Sequence, residues 1–166
     1  MSVDTSVIGS KTGAWRVTVE RAPVVNFAKV LGDTSAVSTE PAAAAAAGFA
    51  GTPAPPTFSF VMAHWGAYAG EQPPDPTGGT NPMHRIMGEL HAQGALVLHG
   101  EQEFEYHRPI VSGDVLDGEQ SITDIYEKDT SSATMTFVVM ETRWTDAATG
   151  DPVVTERFNL IARLRK

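Results

Sequence analysis

The 166-residue chain contains no cysteine, which excludes disulfides, thiolate zinc ligands and catalysis by a thiol nucleophile. It also has no apolar run approaching the ~20 residues that a helix needs to cross a bilayer. Met1 to Gly13 lack the basic start and apolar middle of a signal peptide. We therefore expect a cytoplasmic protein with no membrane span.

Basic residues are scarce. Twelve Lys and Arg stand against twenty Asp and Glu, a formal net charge of -8. This balance argues against nucleic acid as a partner, because phosphate-backbone binding relies on clustered Lys and Arg. An anionic ligand would need a local basic group such as Arg108. The five histidines show no HExxH or comparable spacing, so no metal site is predicted.

The length fits one domain, residues 1–166, with a substantial core. Helical patterns come first along the chain. The first predicted helix has one apolar face and ends at Gly32. An alanine-rich helix over Glu40–Ala47 follows, and the most apolar helix is predicted over Thr57–Ala69. We expect this third helix to be central. Residues 83–90 are predicted to form only one or two helical turns.

Strand patterns follow the helices, with an earlier one near Trp15–Glu20. The later strands are predicted at Ala95–Tyr106, Val115–Tyr126, Ala133–Thr145 and Val153–Leu164, with a hairpin loop at residues 146–151. Helices early and antiparallel strands late predict an α+β domain with its helices on one face of the sheet.

Gly32-Asp33 opens the most informative stretch of the chain. It resembles the first half of the GDxNPxH signature of the MaoC-like hydratase/dehydratase family, but the Asn, Pro and His positions hold Ser35, Ala36 and Ser38. Serine cannot replace imidazole as a proton carrier near neutral pH. Ser38 or Thr39 is also well placed to be the N-cap of the alanine-rich helix, with Pro41 in its first turn.

Further blocks carry the resemblance along nearly the whole chain. They are Ala54–Phe58, Leu98–Phe104, His107-Arg108-Pro109 and Gly113-Asp114. Together they resemble the N-terminal MaoC-like dehydratase branch. This resemblance implies a hot-dog fold, in which a curved antiparallel sheet wraps around a central helix, here Thr57–Ala69.

The resemblance also implies an activity, namely (R)-specific hydration of 2-enoyl thioesters or dehydration of 3-hydroxyacyl thioesters. No cofactor is expected, since the substrate arrives as a CoA or acyl-carrier-protein thioester. Because one dyad member is missing, the expected arrangement is a subunit paired with a second MaoC-like chain that has the complete Asp/His pair. Open alternatives are an active homodimer, a non-catalytic acyl-CoA binding module and a hot-dog thioesterase.

Two residues are candidates for catalysis. Asp33 would be the proton-handling carboxylate, although a Gly-Asp pair after a helix is also a common turn. His99 is the best surviving imidazole, although a lone strand histidine is more often structural. In the homodimer alternative these two groups work together.

Five residues are candidates for substrate binding. Thr57 would offer a backbone N–H to the thioester oxygen at the start of the central helix, because Pro55 and Pro56 have none. Arg108 would meet a phosphate of the carrier, and a surface salt bridge is its alternative. The others are Phe58, Trp65 and Gly100.

Overall fold

The computed structural model describes residues 4–166, so the first three residues of the expected domain lie outside it. Five antiparallel strands form one sheet in the order β1-β3-β4-β5-β2. The strands are β1 Lys11–Thr18, β2 Leu96–Tyr106, β3 Val115–Asp129, β4 Ala133–Asp146 and β5 Pro152–Arg165. The predicted α+β architecture is confirmed, including the loop that joins β4 to β5.

The first two helices also lie where the sequence places them. Helix α1 spans Arg21–Val30, and Gly32 follows it with φ of 76°. Helix α2 spans Pro41–Ala46, and Gly48 follows it with φ of 90°. Positive φ is the conformation that glycine adopts without a Cβ penalty, so each glycine ends its helix.

The predicted long helix over Thr57–Ala69 is wrong in its extent. The segment is a 3-10 turn at Phe58–Phe60, a four-residue helix α3 at Ala63–Gly66, and another 3-10 turn at Ala69–Glu71. The chain must lie against β1 here, because a Cβ built on Gly66 would stand only 2.2 Å from the Thr18 carbonyl oxygen. Ala67, with φ of -91° and ψ of 88°, then leaves the helical region. Tertiary contact with the strand therefore overrides the helical periodicity.

The longest helix is instead α4, Pro82–Ala92. The Asn81 side chain caps it by accepting a 2.9 Å hydrogen bond from the Met83 N–H. Its apolar face packs on β3, β4 and β5 through the buried residues Met83, Ile86 and Leu90. Two segments thus cover the inner face of the sheet: α4 over one half, and residues 58–66 over the other.

The outer face of the sheet is charged. Glu141 on β4 accepts a 2.8 Å hydrogen bond from Arg157 on β5 and another of 2.8 Å from Arg143, while Arg157 also reaches Glu103 on β2 at 3.3 Å. This alternation of charge across three strands suits a surface in contact with water. The sheet therefore buries one face only.

The two edges of the sheet differ. At the β1 edge, the Gln72 amide accepts a hydrogen bond from the Arg16 backbone N–H at 3.2 Å and donates one to the Arg16 carbonyl at 2.9 Å. At the β2 edge, Leu96 and Leu98 are 58% and 42% exposed.

Within residues 4–166, none of the helices has both the length and the apolar character that a transmembrane span requires.

Candidate functional site

Asp33 lies directly after α1, and its N–H donates to the Ala28 carbonyl at 3.0 Å. Its carboxylate is half-buried and holds the loop that follows. One oxygen, Oδ1, accepts the Ser35 backbone N–H at 2.8 Å, and the other, Oδ2, accepts the Ser38 hydroxyl. The residue that replaces the signature histidine is thus hydrogen-bonded to the signature aspartate.

These bonds favour the charged form of the acid. The Ser38 hydroxyl, followed by the Ser35 N–H, holds the pKa of Asp33 below its ordinary value. Asp33 is therefore an ionised acceptor in this chain. The prediction that Ser38 caps the next helix is wrong, because its hydroxyl bonds to Asp33, and the N-cap position of α2 is Glu40, without a side-chain bond.

The backbone of this loop could accommodate the Asn-Pro dipeptide of the family signature. Ser35, at the Asn position, has φ of -64° and ψ of 133°, the extended conformation preferred before proline. Its side chain accepts the Val37 N–H, as an asparagine side chain would. Ala36, at the Pro position, starts the 3-10 turn Ala36–Ser38. The loop is thus compatible with an Asn-Pro dipeptide.

His99 lies on β2, far along the chain from this loop. Its exposed ring packs against Phe158 at 4.5 Å and Phe60 at 5.5 Å between centroids. Gly100 follows at an irregularity of the β2–β5 pairing, where an added Cβ would stand 2.7 Å from the Asn159 carbonyl oxygen. Within residues 4–166, no hydrogen bond or ring contact joins His99 to Asp33.

The segment starting at Thr57 combines a buried anchor with exposed groups. Phe58 is 1% exposed, and its N–H donates to the Pro55 carbonyl at 2.9 Å. Thr57 is exposed, and its N–H makes no hydrogen bond with any residue in the described part of the chain. Trp65 stacks on Phe58 at 6.0 Å between ring centroids and is 48% exposed. The sequence candidates Thr57, Phe58 and Trp65 therefore share one short segment.

Arg108 is engaged by two carboxylates. Its guanidinium donates to Asp114 at 2.7 Å and to Asp146 at 2.9 Å. This is the ion-pair role that the sequence offered as an alternative to phosphate binding. Arg108 also lines a cavity of about 320 Å³ with Ala54, Pro56 and Tyr106, so two of the blocks that carry the family resemblance meet there.

Sequence reasoning missed Glu156, which is less exposed than any other acidic residue in the described part of the chain. It lies on the inner face of β5 and is 5% exposed. Ser59 donates to it at 2.8 Å and the Trp144 indole N–H at 3.3 Å. Burial raises the pKa of Glu156, against the opposing effect of these donors. A signal was available, because Glu156 occupies an inward position in the alternation from Val154 to Leu160.

Comparisons with known proteins agree with the fold and the family. The model of the family described as "FAS1-like, dehydratase domain region" matches residues 6–156. A UPF0336 protein of Streptomyces avermitilis is 34% identical over 166 residues, covering 98% of this chain and 97% of that protein.

Solved structures show the same architecture. The truncated HadBC complex of Mycobacterium tuberculosis, a (3R)-hydroxyacyl-ACP dehydratase, superposes with a TM-score of 0.65 at 19% identity, over 97% of this chain and 99% of that one. A MaoC-like dehydratase superposes with a TM-score of 0.64 at 25% identity, over 95% of this chain and 42% of that one. The fold is thus the hot-dog fold, and the chain belongs to the FAS1-like dehydratase-region family of MaoC-like proteins.

Proposed function

We propose that this chain is one subunit of an (R)-specific enoyl-thioester hydratase or 3-hydroxyacyl-thioester dehydratase. Its partner would be a second MaoC-like chain with the complete Asp/His pair. In this role the chain shapes the acyl pocket and completes a double hot dog. The substrate would be carried as a CoA or acyl-carrier-protein thioester, with no further cofactor.

The observation that carries the proposal is the contact between Ser38 and Asp33. Hydration needs one group to handle the proton and another to orient the water or the thioester, and a carboxylate with an imidazole does this near neutral pH. Here the hydroxyl at the histidine position donates a hydrogen bond to the carboxylate and keeps its proton. A serine hydroxyl does not exchange protons in this pH range, so the loop lacks one of its two working groups.

The open β2 edge supports the subunit arrangement. An edge strand with free backbone groups and exposed apolar side chains is a template for pairing with another chain. Leu96 and Leu98 give β2 this character, while Gln72 covers the β1 edge. The name of the HadBC structure also describes a complex of this fold class with dehydratase activity.

An assay of the chain with and without its partner tests the proposal. The chain alone and the chain co-expressed with a MaoC-like protein bearing an intact GDxNPxH are each given crotonyl-CoA and longer 2-enoyl-CoAs. We expect background turnover alone and rapid hydration in the pair. Asp33→Asn should leave most of the pair's activity, whereas the matching change in the partner should abolish it.

The other outcomes separate the alternatives. Turnover by the chain alone that Asp33→Asn or His99→Ala abolishes would identify an active homodimer and refute the subunit arrangement. Release of free CoA would identify a thioesterase. Tight binding of acyl-CoA without reaction in any combination would identify a binding module.

Restoring the signature gives an independent test of the loop. The variant S35N/A36P/S38H recreates GDxNPxH on a backbone that already fits it. We expect the variant alone to gain hydratase activity, since positioned acid–base groups contribute about 10²–10⁴-fold. The control S35N/A36P keeps Ser38 and should stay inactive. A folded triple variant with no gain would mean that no thioester reaches the loop in the isolated chain.

A charge on the open edge tests the association. Leu98→Asp should weaken the complex with the partner in size-exclusion chromatography, because it places an unpaired carboxylate in the strand pairing. The matched control is Val115→Asp, which changes an apolar residue of similar exposure, 39%, at the start of β3. Equal weakening by both variants would contradict a β2 interface.

A further inference from the structure

Glu156 is a buried acid without a cation beside it. It is 5% exposed, and it takes part in none of the ion pairs formed within residues 4–166. By comparison, the buried acid on the outer face, Glu141, forms ion pairs with two arginines. Because charges removed from water are normally paired, an unpaired carboxyl at such depth calls for a physical explanation.

A polar row of hydrogen bonds crosses the sheet beside Glu156. The Thr12 hydroxyl donates to the Gln120 amide oxygen at 2.8 Å, and the Gln120 amide donates to the Thr142 hydroxyl at 3.0 Å. Ser59 and Trp144 donate to Glu156, and the Thr142 side chain lines the same cavity as this carboxyl group. A carboxylate has roughly four acceptor positions, so these neighbours leave at least one position for a further donor.

Glu156 lines a cavity of about 280 Å³ between the sheet and residues 59–64. Its apolar walls are Trp15, Trp144, Phe60 and Ala63, and His64 also lines it. The two indole rings lie 6.1 Å apart between centroids, with planes 30° from parallel. Aromatic faces, tryptophan above all, attract cations through the quadrupole of the ring.

The indole of Trp144 owes its position to Gly118. This glycine lies on β3 between Trp15 on β1 and Trp144 on β4, in register with both. A Cβ at this position would stand 2.4 Å from a carbon of the Trp144 ring. Its missing side chain thus leaves the room in which Trp144 lies flat and directs its N–H to Glu156.

We propose that this cavity binds a small organic cation, an alkylammonium of a few heavy atoms, with Glu156 as its counter-charge and the indoles of Trp15 and Trp144 as its walls. A cation supplies both features that the site lacks, a further hydrogen-bond donor and a positive charge. The size follows from the volume, which lies below the roughly 300 Å³ at which drug-sized pockets begin. The cation site does not depend on the thioester reaction, so its test is independent of the tests of the proposed function.

Titration with n-propylammonium chloride tests the proposal, with 1-propanol as the neutral analogue. Binding is followed by calorimetry and by tryptophan fluorescence in a Trp65→Phe background, where both remaining indoles line the cavity. All titrations are made at pH 8, so that the amine and the alcohol are compared under one condition. We expect saturable binding of the amine, a fluorescence change, and at least tenfold weaker binding of the alcohol.

Three variants locate the site. Glu156→Gln should weaken binding at least tenfold, whereas Glu105→Gln, the same change of charge on an exposed residue of β2, should not. Ala63→Leu should block the cavity without touching the carboxyl group, which keeps the test valid if Glu156→Gln folds poorly. Equal binding of amine and alcohol, unchanged binding in Ala63→Leu, or no saturable binding to the wild-type chain would overturn the proposal.

Discussion

Replacing Gly118 by alanine tests how tightly the indole of Trp144 is held against the sheet. The added Cβ would lie 2.4 Å from a ring carbon, about 1 Å inside the 3.5–4.0 Å at which carbon atoms attract each other best. Gly118 has strand neighbours on both sides, β1 and β4, so its backbone has little freedom to retreat. The indole or the strand must therefore move.

The size of the effect follows from two opposing contributions. Overpacking in a filled interior costs about 1–3 kcal/mol, and the reduced freedom of the unfolded chain returns about 0.4–1 kcal/mol for a Gly-to-Ala change. The two contributions together span a net loss of about 0–2.6 kcal/mol, and the severity of the 2.4 Å contact leads us to expect about 1–2 kcal/mol in the free energy of unfolding. For a domain of this size the melting temperature should fall by about 2–8 °C.

Gly88 provides a matched control with the opposite sign. It lies exposed within α4, has no positive φ, and has no heavy atom within 4 Å of the position that a Cβ would take. Gly88→Ala should therefore stabilise the protein by about 1 kcal/mol through helix propensity. Urea denaturation and thermal melting measure both variants. A Gly118→Ala protein within about 0.5 kcal/mol of wild type, or above it, would refute the close contact described for Trp144, since surface changes alone stay within that range.

Three further predictions concern the loop, the segment at residue 58 and the buried acid. Ser38→Ala removes the hydroxyl that does most to lower the pKa of Asp33, so the pKa of this carboxyl should rise towards its ordinary value. A ¹³C NMR titration measures it, and an unchanged pKa would contradict the contact. Phe58→Ala should cost about 3–5 kcal/mol of unfolding free energy, whereas Phe60→Ala, at a side chain 41% exposed, should cost much less; equal losses in urea denaturation would argue against the buried anchor. Because the pKa of Glu156 is raised in the folded state, its contribution to stability is complete at low pH and is lost as the pH rises from the ordinary value of 4.5 through the raised one. Glu156→Gln should therefore gain stability relative to wild type over that rise, and a flat difference in melting temperature across it would contradict the shift.

Local signals were enough to predict much of the fold. Glycines at Gly32 and Gly48 end the first two helices, and alternating side chains mark the four late strands. These features depend on a few neighbouring residues, so the sequence carries them directly. The position of Asp33 just beyond α1 was predictable for the same reason.

The segment over residues 57–69 was not predictable in this way. Phe58 and Met62 are buried at helical spacing, as expected, but the close approach of Gly66 to β1 divides the helix. That approach joins positions 48 residues apart in the chain, and no local pattern records it. The prominence of α4 was missed because its apolar face is short and its helix propensity is lowered by Gly88.

The candidate site was predictable only in part. The signature motif identifies Asp33 and the missing histidine, but not that Ser38 would donate to the carboxylate, since this depends on the turn of the loop. Glu156 had a usable signal, a charged residue among inward-facing apolar ones on β5. Its donors come from two other segments, the turn that contains Ser59 and strand β4, and only the folded chain brings these together with β5.

The unequal edges of the sheet limit how large an assembly can grow. A sheet with two free edges can add copies without end and produce fibrils. Here the Gln72 amide occupies the backbone groups of Arg16 that an incoming strand on that side would use. If the chain pairs through β2 as proposed above, the Gln72 contact hinders further addition at Arg16 on the β1 side, so the expected product is a pair of chains and not a fibril.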